Sequence, residues 1–90
     1  MNARRIELIR SALTEALAPA RLDITDESHL HAGHPGARDG RGHFRVEIVS
    51  DAFAGLNRVQ RHQKVYQAVG SLMQTDVHAL SIKAWTSSED

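Results

Sequence analysis

The sequence predicts an α+β fold in which helices cover one face of a three-stranded mixed sheet. Three observations predict it: an amphipathic period near the N-terminus, three segments with the alternation of strands, and a long helical segment between the last two of these. A helix that links consecutive strands normally makes them parallel through a right-handed crossover. The first two strands most simply form an antiparallel pair, so the predicted order is α-β-β-α-β.

The first helix is predicted from apolar residues that recur at spacings of three and four. They are Ile6, Ile9, Leu13 and Leu17. Pro19 ends this helix near Ala18, because the residue before a proline disfavours the helical conformation. Leu22 and Ile24 then alternate with polar residues, which predicts the first strand.

A long loop and the second strand follow. Residues 29–42 read HLHAGHPGARDGRG, and their glycines and proline favour a loop. A loop of this length is uncommon in a compact domain unless it is functional or disordered. Residues 43–50 predict the second strand, whose core-facing residues are Phe44, Val46 and Ile48. The turn that comes next contains Phe53 and Leu56, which we expect to pack against the core.

The longest predicted element is a second helix. Its apolar stripe comprises Val59, Val65, Val69, Leu72 and Met73. Arg58, Arg61 and Lys64 recur at every third residue on a more exposed face, and no acidic residue occurs between Ala52 and Thr75. This row is typical of a solvated helix face, and it could also contact phosphates or an acidic partner.

The last strand is predicted over residues 77–86, with Leu80, Ile82 and Ala84 on one face. Trp85 is the only tryptophan, and we expect it to pack on the surface against a helix or to anchor a partner. On the second helix, His62 shares a face with Val59 and Tyr66, which favours a partly buried structural histidine.

Composition limits the class of protein. Ninety residues predict a single domain over residues 1–90, with flexible ends at 1–2 and 87–90. Without an apolar run of about 18 residues no membrane span is expected, and the polar start carries no secretory signal, so we expect a cytoplasmic protein. A formal net charge of zero argues against a strongly basic nucleic-acid-binding class.

Histidines provide the candidate functional residues. The chain has six histidines and no cysteine, so it can hold a metal through imidazole but cannot form disulfides or a cluster site of its own thiolates. His43 and His78 each begin a strand, and parallel strands begin at the same end of a sheet. The loop with His29, His31 and His34 leads into that same end, so the fold could gather imidazoles there.

Four separated motifs make the sequence resemble the BolA family. They are ITDESHLHAGHPGA at residues 24–37, GHFRVEIVSDAFAGL at 42–56, RVQRHQKVYQAV at 58–69 and VHALSIKAWT at 77–86. The resemblance implies the order α-β-β-α-α-β, similar to the class II KH domain, with helices on one face of the sheet. The GXXG loop of true KH domains is absent from this sequence, so RNA binding does not carry over from the fold.

The resemblance also implies a function. BolA-like proteins pair with monothiol glutaredoxins and share a [2Fe-2S] cluster, for which the glutaredoxin cysteine and a glutathione thiolate supply two ligands. By motif, the histidine ligands of this chain would be His78, in VHALSI, and His31, in SHLH, with His34 as a substitute for His31. His43 would be a hydrogen-bond donor behind the ligands or a structural residue. No cofactor is expected in the isolated chain, which we expect to be a monomer.

Three alternatives remain open, of which the first rests on the resemblance, since some BolA-like proteins are described as DNA-binding regulators, and on the basic residues of the second helix. The first is a DNA-binding transcriptional regulator that uses the second helix, with Arg58, Arg61 and Lys64 as contacts. The second is an autonomous zinc or iron site made of loop histidines. The third, structural reading makes His78 a strand-end histidine hydrogen-bonded to backbone. An enzyme is not expected, since the sequence shows no nucleophile with an evident base, no phosphate loop and no dinucleotide motif.

Overall fold

The computed structural model describes residues 2–27 and 42–89, and the loop histidines His29, His31 and His34 lie outside these residues. The described chain follows the order α-β-β-α-α-β. Its elements are α1 (Asn2–Leu17), β1 (Arg21–Asp26), β2 (Gly42–Val49), α2 (Arg58–Val69), α3 (Leu72–Thr75) and β3 (Val77–Trp85). The predicted α+β class is confirmed, and so is the order of elements that the family resemblance implies, α-β-β-α-α-β. The finer likeness to a class II KH domain stays a prediction.

The sheet has the strand order β1-β2-β3. β1 pairs antiparallel with β2, from Arg21 opposite Val49 to Asp26 opposite Phe44, and β2 pairs parallel with β3. The predicted hairpin-like pair and parallel crossover are therefore confirmed. The end of β1 and the starts of β2 and β3 consequently lie at one end of the sheet.

One hydrophobic core lies between the helices and one face of the sheet. The predicted stripe of α1 is confirmed, because Ile9, Leu13 and Leu17 are buried. The sheet and the other helices complete this core with Phe44, Val46, Ile48, Phe53, Val65, Val69, Val77, Leu80 and Ile82. The opposite face of the sheet carries the alternate residues of β2, of which Arg45 is exposed and Glu47 is half-buried.

The prediction of one long second helix, made from the apolar spacing, is wrong in two respects. It is broken at Gly70, which has a φ of +60°, so the chain forms two helices and Leu72 and Met73 reach the core from the second. Val59 was predicted to be in the apolar stripe, but its side chain is 64% exposed. At about 100° per residue, Val59 lies about 120° around α2 from Val65, which is fully buried.

Candidate functional site

His78 occupies a β-bulge at the start of β3. Gly42 of β2 pairs with Val77 and His43 pairs with Ala79, so His78 is the extra residue on β3. A regular strand would place His78 on the same face as Leu80, in the core. The bulge instead lets Val77 fill the core position, and His78 is only half-buried. A histidine at this position can therefore present a ring nitrogen outside the core.

His43 lies against His78 at the same end of the sheet. Its side chain belongs to the face opposite the core, since its neighbour Phe44 points into the core, and it is only 7% exposed. The two imidazole ring centroids are 5.0 Å apart, and the ring planes meet at 53°. The predicted proximity of His43 and His78 is confirmed, and His43 is placed to hold the His78 ring in position.

Backbone contacts hold this end of the sheet in a defined geometry. The Gly42 N–H donates to the Asp76 carbonyl over 3.0 Å, and the Glu27 N–H donates to the His43 carbonyl over 2.8 Å. The Asp76 side chain also pairs with Arg5 of α1 over 3.4 Å and accepts from the Thr75 hydroxyl over 2.7 Å. The two histidines thus project from a hydrogen-bonded framework in which β1, β2, α1 and the turn before β3 meet.

The second predicted ligand cannot be placed. His31 and its substitute His34 fall outside the described residues, but residue 27 and residue 42, which flank that segment, are both at the His43–His78 end. Within residues 2–27 and 42–89, no group of three or more His, Cys, Asp or Glu side chains could hold a metal ion. The described donor set is one half-buried imidazole with a buried imidazole behind it, which suits a ligand to a centre shared with other donors.

The basic residues of α2 do not form one uniform row. Arg58 and Lys64 are exposed, but the Arg61 side chain is only 14% exposed. Its guanidinium donates to the Leu56 carbonyl over 2.9 Å and the Ala84 carbonyl over 3.2 Å. It also makes a bidentate pair with Glu89 at 2.6 and 3.0 Å. Of the three predicted contact residues, two are therefore free to meet a partner's charge.

The Arg61–Glu89 pair also changes the titration of both groups. The hydrogen bonds from Arg61 lower the pKa of Glu89 to about 2, and the hydrogen bond from the Thr86 N–H adds to this effect. The hydrogen bond to Glu89 raises the pKa of Arg61. The pair therefore stays ionised over the physiological range and holds the turn after β3 against α2.

Sequence reasoning missed a cleft between the start of α2 and the end of β3. It has a volume of about 550 Å³, and its lining includes Arg58, His62, Ile82, Lys83 and Trp85. His62 is half-buried as predicted, and Trp85 is half-buried too. The signal in the sequence was the predicted arrangement of the sheet, in which β3 lies beside β2 and, among the described strands, has no neighbour on its other side.

No helix among the described residues is long and apolar enough to cross a bilayer.

Comparison with known proteins gives consistent matches. The family model described as BolA-like protein matches residues 13–89. BolA-like protein 1 of Homo sapiens is 45% identical over 78 residues, which cover 87% of this chain and 55% of the human protein. The chain is also 34% identical over 83 residues to the DNA-binding transcriptional regulator BolA of Haemophilus influenzae, covering 92% of this chain and 78% of that protein.

A solved structure gives the same result. The BolA domain of SufE1 from Arabidopsis thaliana superimposes with a TM-score of 0.84 at 40% identity, and the match covers 96% of this chain and 95% of that one. The chain spans only about half the length of the human relative, at 55%.

Proposed function

This chain belongs to the BolA-like protein family, and from that premise we propose that it is a non-enzymatic adaptor that pairs with a monothiol glutaredoxin. In the complex, His78 would be a ligand of a shared [2Fe-2S] cluster, and the adaptor would traffic iron–sulfur clusters or sense iron. The second histidine ligand would be His31 or His34. Glutaredoxin and glutathione would supply the thiolate ligands.

The single observation that carries this proposal is the position of His78. The bulge keeps its ring out of the core while the rest of β3 is paired with β2, so one imidazole nitrogen can reach a partner's metal centre. The neighbouring ring of His43, with its centroid 5.0 Å away, restricts the orientation of His78. A metal-binding histidine whose orientation is fixed by a second group binds more tightly than a mobile one.

The residues of this chain would tune the cluster as well as hold it. When bound, the cluster supplies electron-transfer chemistry and transferable iron and sulfide. His78 must bind as a neutral imidazole, which contributes less negative charge to the cluster than a thiolate and so raises its reduction potential. The buried ring of His43, with its centroid 5.0 Å from that of His78, would cover one side of the ligand.

The test is anaerobic titration of a cluster-loaded monothiol glutaredoxin, with glutathione, followed by visible circular dichroism. We expect wild-type protein to change the spectrum, because replacing a ligand changes the electronic transitions of the cluster. The His78→Ala variant should fail to produce this change. The matched control is His62→Ala, which removes a half-buried histidine from α2 and should behave as wild type.

Two results would reject the proposal. One is a spectrum that wild-type protein leaves unaltered, and the other is a spectrum that wild-type and His78→Ala proteins alter equally. Separate His31→Ala and His34→Ala variants identify the second ligand, because only the variant that lacks it should lose the wild-type spectrum.

A second candidate function is binding to DNA as a transcriptional regulator. It is supported by the similarity to the Haemophilus influenzae protein of that name and by the exposure of Arg58 and Lys64. Replacing both residues with glutamine should reduce the slope of log K against log salt by about 2, since each phosphate contact contributes roughly 0.9. Absence of measurable affinity for duplex DNA at low salt would eliminate this function.

A further inference from the structure

The free edge of β3 presents main-chain groups towards the cleft. Among the described residues β3 is the last strand of the sheet, and its Trp85 carbonyl faces β2, where it accepts from the Ser50 N–H over 2.8 Å. Because peptide groups alternate along a strand, those of Leu80, Ile82 and Ala84 face the opposite way. Their direction is consistent with the contacts of α2, which cap this edge at two points.

Side chains of α2 donate hydrogen bonds to two carbonyls of the β3 edge and leave the residue between them uncovered by such bonds. The Tyr66 hydroxyl donates to the Leu80 carbonyl over 3.2 Å, and Arg61 donates to the Ala84 carbonyl over 3.2 Å. The peptide group of Ile82 lies between these two carbonyls along the strand, and Ile82 is one of the residues that line the cleft of about 550 Å³. An edge peptide group beside an open cleft is the arrangement in which an added strand forms main-chain hydrogen bonds.

The charge of the cleft indicates what kind of segment it suits. Arg58 and His62 line it from α2 and Lys83 lines it from β3, and none of its described lining residues is acidic. Of these three, Arg58 and Lys83 are exposed. Apolar surface is available as well, because Val59 and Tyr66, which flank His62 on α2, are 64% and 41% exposed. The surface is complementary to a segment that carries both carboxylates and apolar side chains.

We propose that this cleft binds an acidic peptide segment of a partner protein in extended conformation, as a short strand beside β3. Its main chain would donate to the carbonyl and accept from the N–H of Ile82. Its carboxylates would pair with Arg58 and Lys83, and its apolar side chains would contact Trp85 and the exposed face of α2.

Peptide is favoured over single-stranded nucleic acid by two features of this surface. A nucleic acid strand requires a series of cations along its phosphates, yet the Arg61 guanidinium is already paired with Glu89. A peptide with two carboxylates, in contrast, needs the two exposed cations and the free edge that this surface provides.

This surface is separate from the proposed cluster site. His78 and Ile82, the residue with which the peptide would pair, lie four residues apart on β3, which is about 13 Å at the rise of a strand. Both sites could be occupied together, and the peptide proposal does not depend on cluster binding.

The test uses a capped five-residue peptide of valines with two adjacent glutamates, which point to opposite faces of a strand and can therefore meet Arg58 on α2 and Lys83 on β3. We expect saturable changes in Trp85 fluorescence, which is free of interference because the chain has one tryptophan, and in the amide NMR signal of Ile82. The Lys83→Glu variant should weaken binding by about tenfold, the effect of reversing one partly desolvated charge contact. Lys64→Glu is the matched control, since it makes the same charge change outside the cleft and should bind as wild type.

Two further probes test the mode of binding. N-methylation of the central peptide residues should abolish binding, because it removes the main-chain donors. A peptide with lysine in place of glutamate should fail to bind, because its charge opposes that of the cleft.

The proposal is overturned by no saturable binding, by equal losses in Lys83→Glu and Lys64→Glu, or by an unaffected N-methylated peptide. Tighter binding of oligothymidylate than of the peptide, with loss in Lys83→Glu, would instead assign the cleft to single-stranded nucleic acid. The His78→Ala variant should bind the peptide as wild type does, so this experiment and the cluster titration can fail independently.

Discussion

Ser50 is a single small residue that joins three parts of the molecule. Its hydroxyl, almost fully buried, donates to the Leu17 carbonyl at the end of α1 over 2.6 Å. The same oxygen accepts from the Ala52 N–H over 3.1 Å, which caps the 3-10 turn Asp51–Phe53. The Ser50 N–H donates to the Trp85 carbonyl at the end of β3 over 2.8 Å. A buried hydroxyl is stable here because its hydrogen-bonding capacity is used.

At the residue scale we predict that Ser50→Ala lowers the free energy of unfolding by about 1–3 kcal/mol. The change leaves the Leu17 carbonyl and the Ala52 N–H without their buried partner. Urea denaturation measures the loss. The control is Ser81→Ala on the exposed face of β3, which should stay within about 0.5 kcal/mol of wild type. Equal effects of the two substitutions would contradict this account of Ser50.

The limits of α2 illustrate how local chemistry defines an element. Asn57 accepts from the Gln60 N–H over 2.9 Å, and the Gln60 side chain accepts from the Asn57 N–H over 2.9 Å, forming a capping box. Gly70 ends the helix with a positive φ, and its N–H donates to the Tyr66 carbonyl over 2.9 Å. The helix thus begins where side chains accept hydrogen bonds from the N–H groups of its first turn, and it ends at a glycine whose backbone conformation turns the chain out of the helix.

At the element scale we predict that Asn57→Ala destabilises the protein by about 1 kcal/mol, through loss of the N-cap. Gln63→Ala provides the control on an exposed position of the same helix, where alanine has the higher helix propensity. Thermal unfolding should separate the two variants. A loss in Gln63→Ala as large as that in Asn57→Ala would show that the cap is not the cause.

For the whole molecule, the contact between Arg61 and Glu89 attaches the chain after β3 to α2. This bidentate pair bridges residues far apart in the sequence, and the Thr86 N–H adds a further hydrogen bond to Glu89 over 2.8 Å. Asp51 accepts from the Ser87 N–H over 3.2 Å and so fastens the same turn to the segment after β2. The turn is consequently a part of the folded unit.

At this scale we predict a dependence of stability on acid pH. The pKa of Glu89 is lowered from 4.5 to about 2 by folding. A carboxyl group with a lowered folded-state pKa stabilises the protein above its unfolded pKa, and this contribution disappears as the pH falls through the folded pKa. The midpoint temperature of Glu89→Gln should therefore lie below that of wild type at pH 7, and the difference should shrink progressively as the pH falls from 4.5 to 2.

Glu15→Gln is the control for this measurement, since it neutralises an exposed carboxyl group on α1. It should lack the loss that Glu89→Gln shows at pH 7. A Glu89→Gln deficit that is unchanged at pH 2 would contradict the role of ionisation.

Local sequence determined most of the elements and their order. The spacing of Ile9 and Leu13 defines a helix face, and the alternation around Val46 defines a strand, because each pattern follows from the geometry of one element. The crossover rule then made β2 and β3 parallel, which was enough to bring His43 and His78 to one end of the sheet. The motifs of the chain also identified its family, which the matches to known proteins confirm.

Tertiary structure decided the features on which the two proposed sites depend. Strand alternation alone places His78 in the core, and only pairing with β2 shows that Val77 takes that position and leaves His78 half-buried. Likewise, helical spacing predicts that Arg61 is exposed with Arg58 and Lys64. Its burial instead depends on contacts such as that with Glu89, which is 28 residues away in the sequence. Periodicity reports the direction of a side chain within its own element, but its contacts depend on distant residues that only the folded chain brings near.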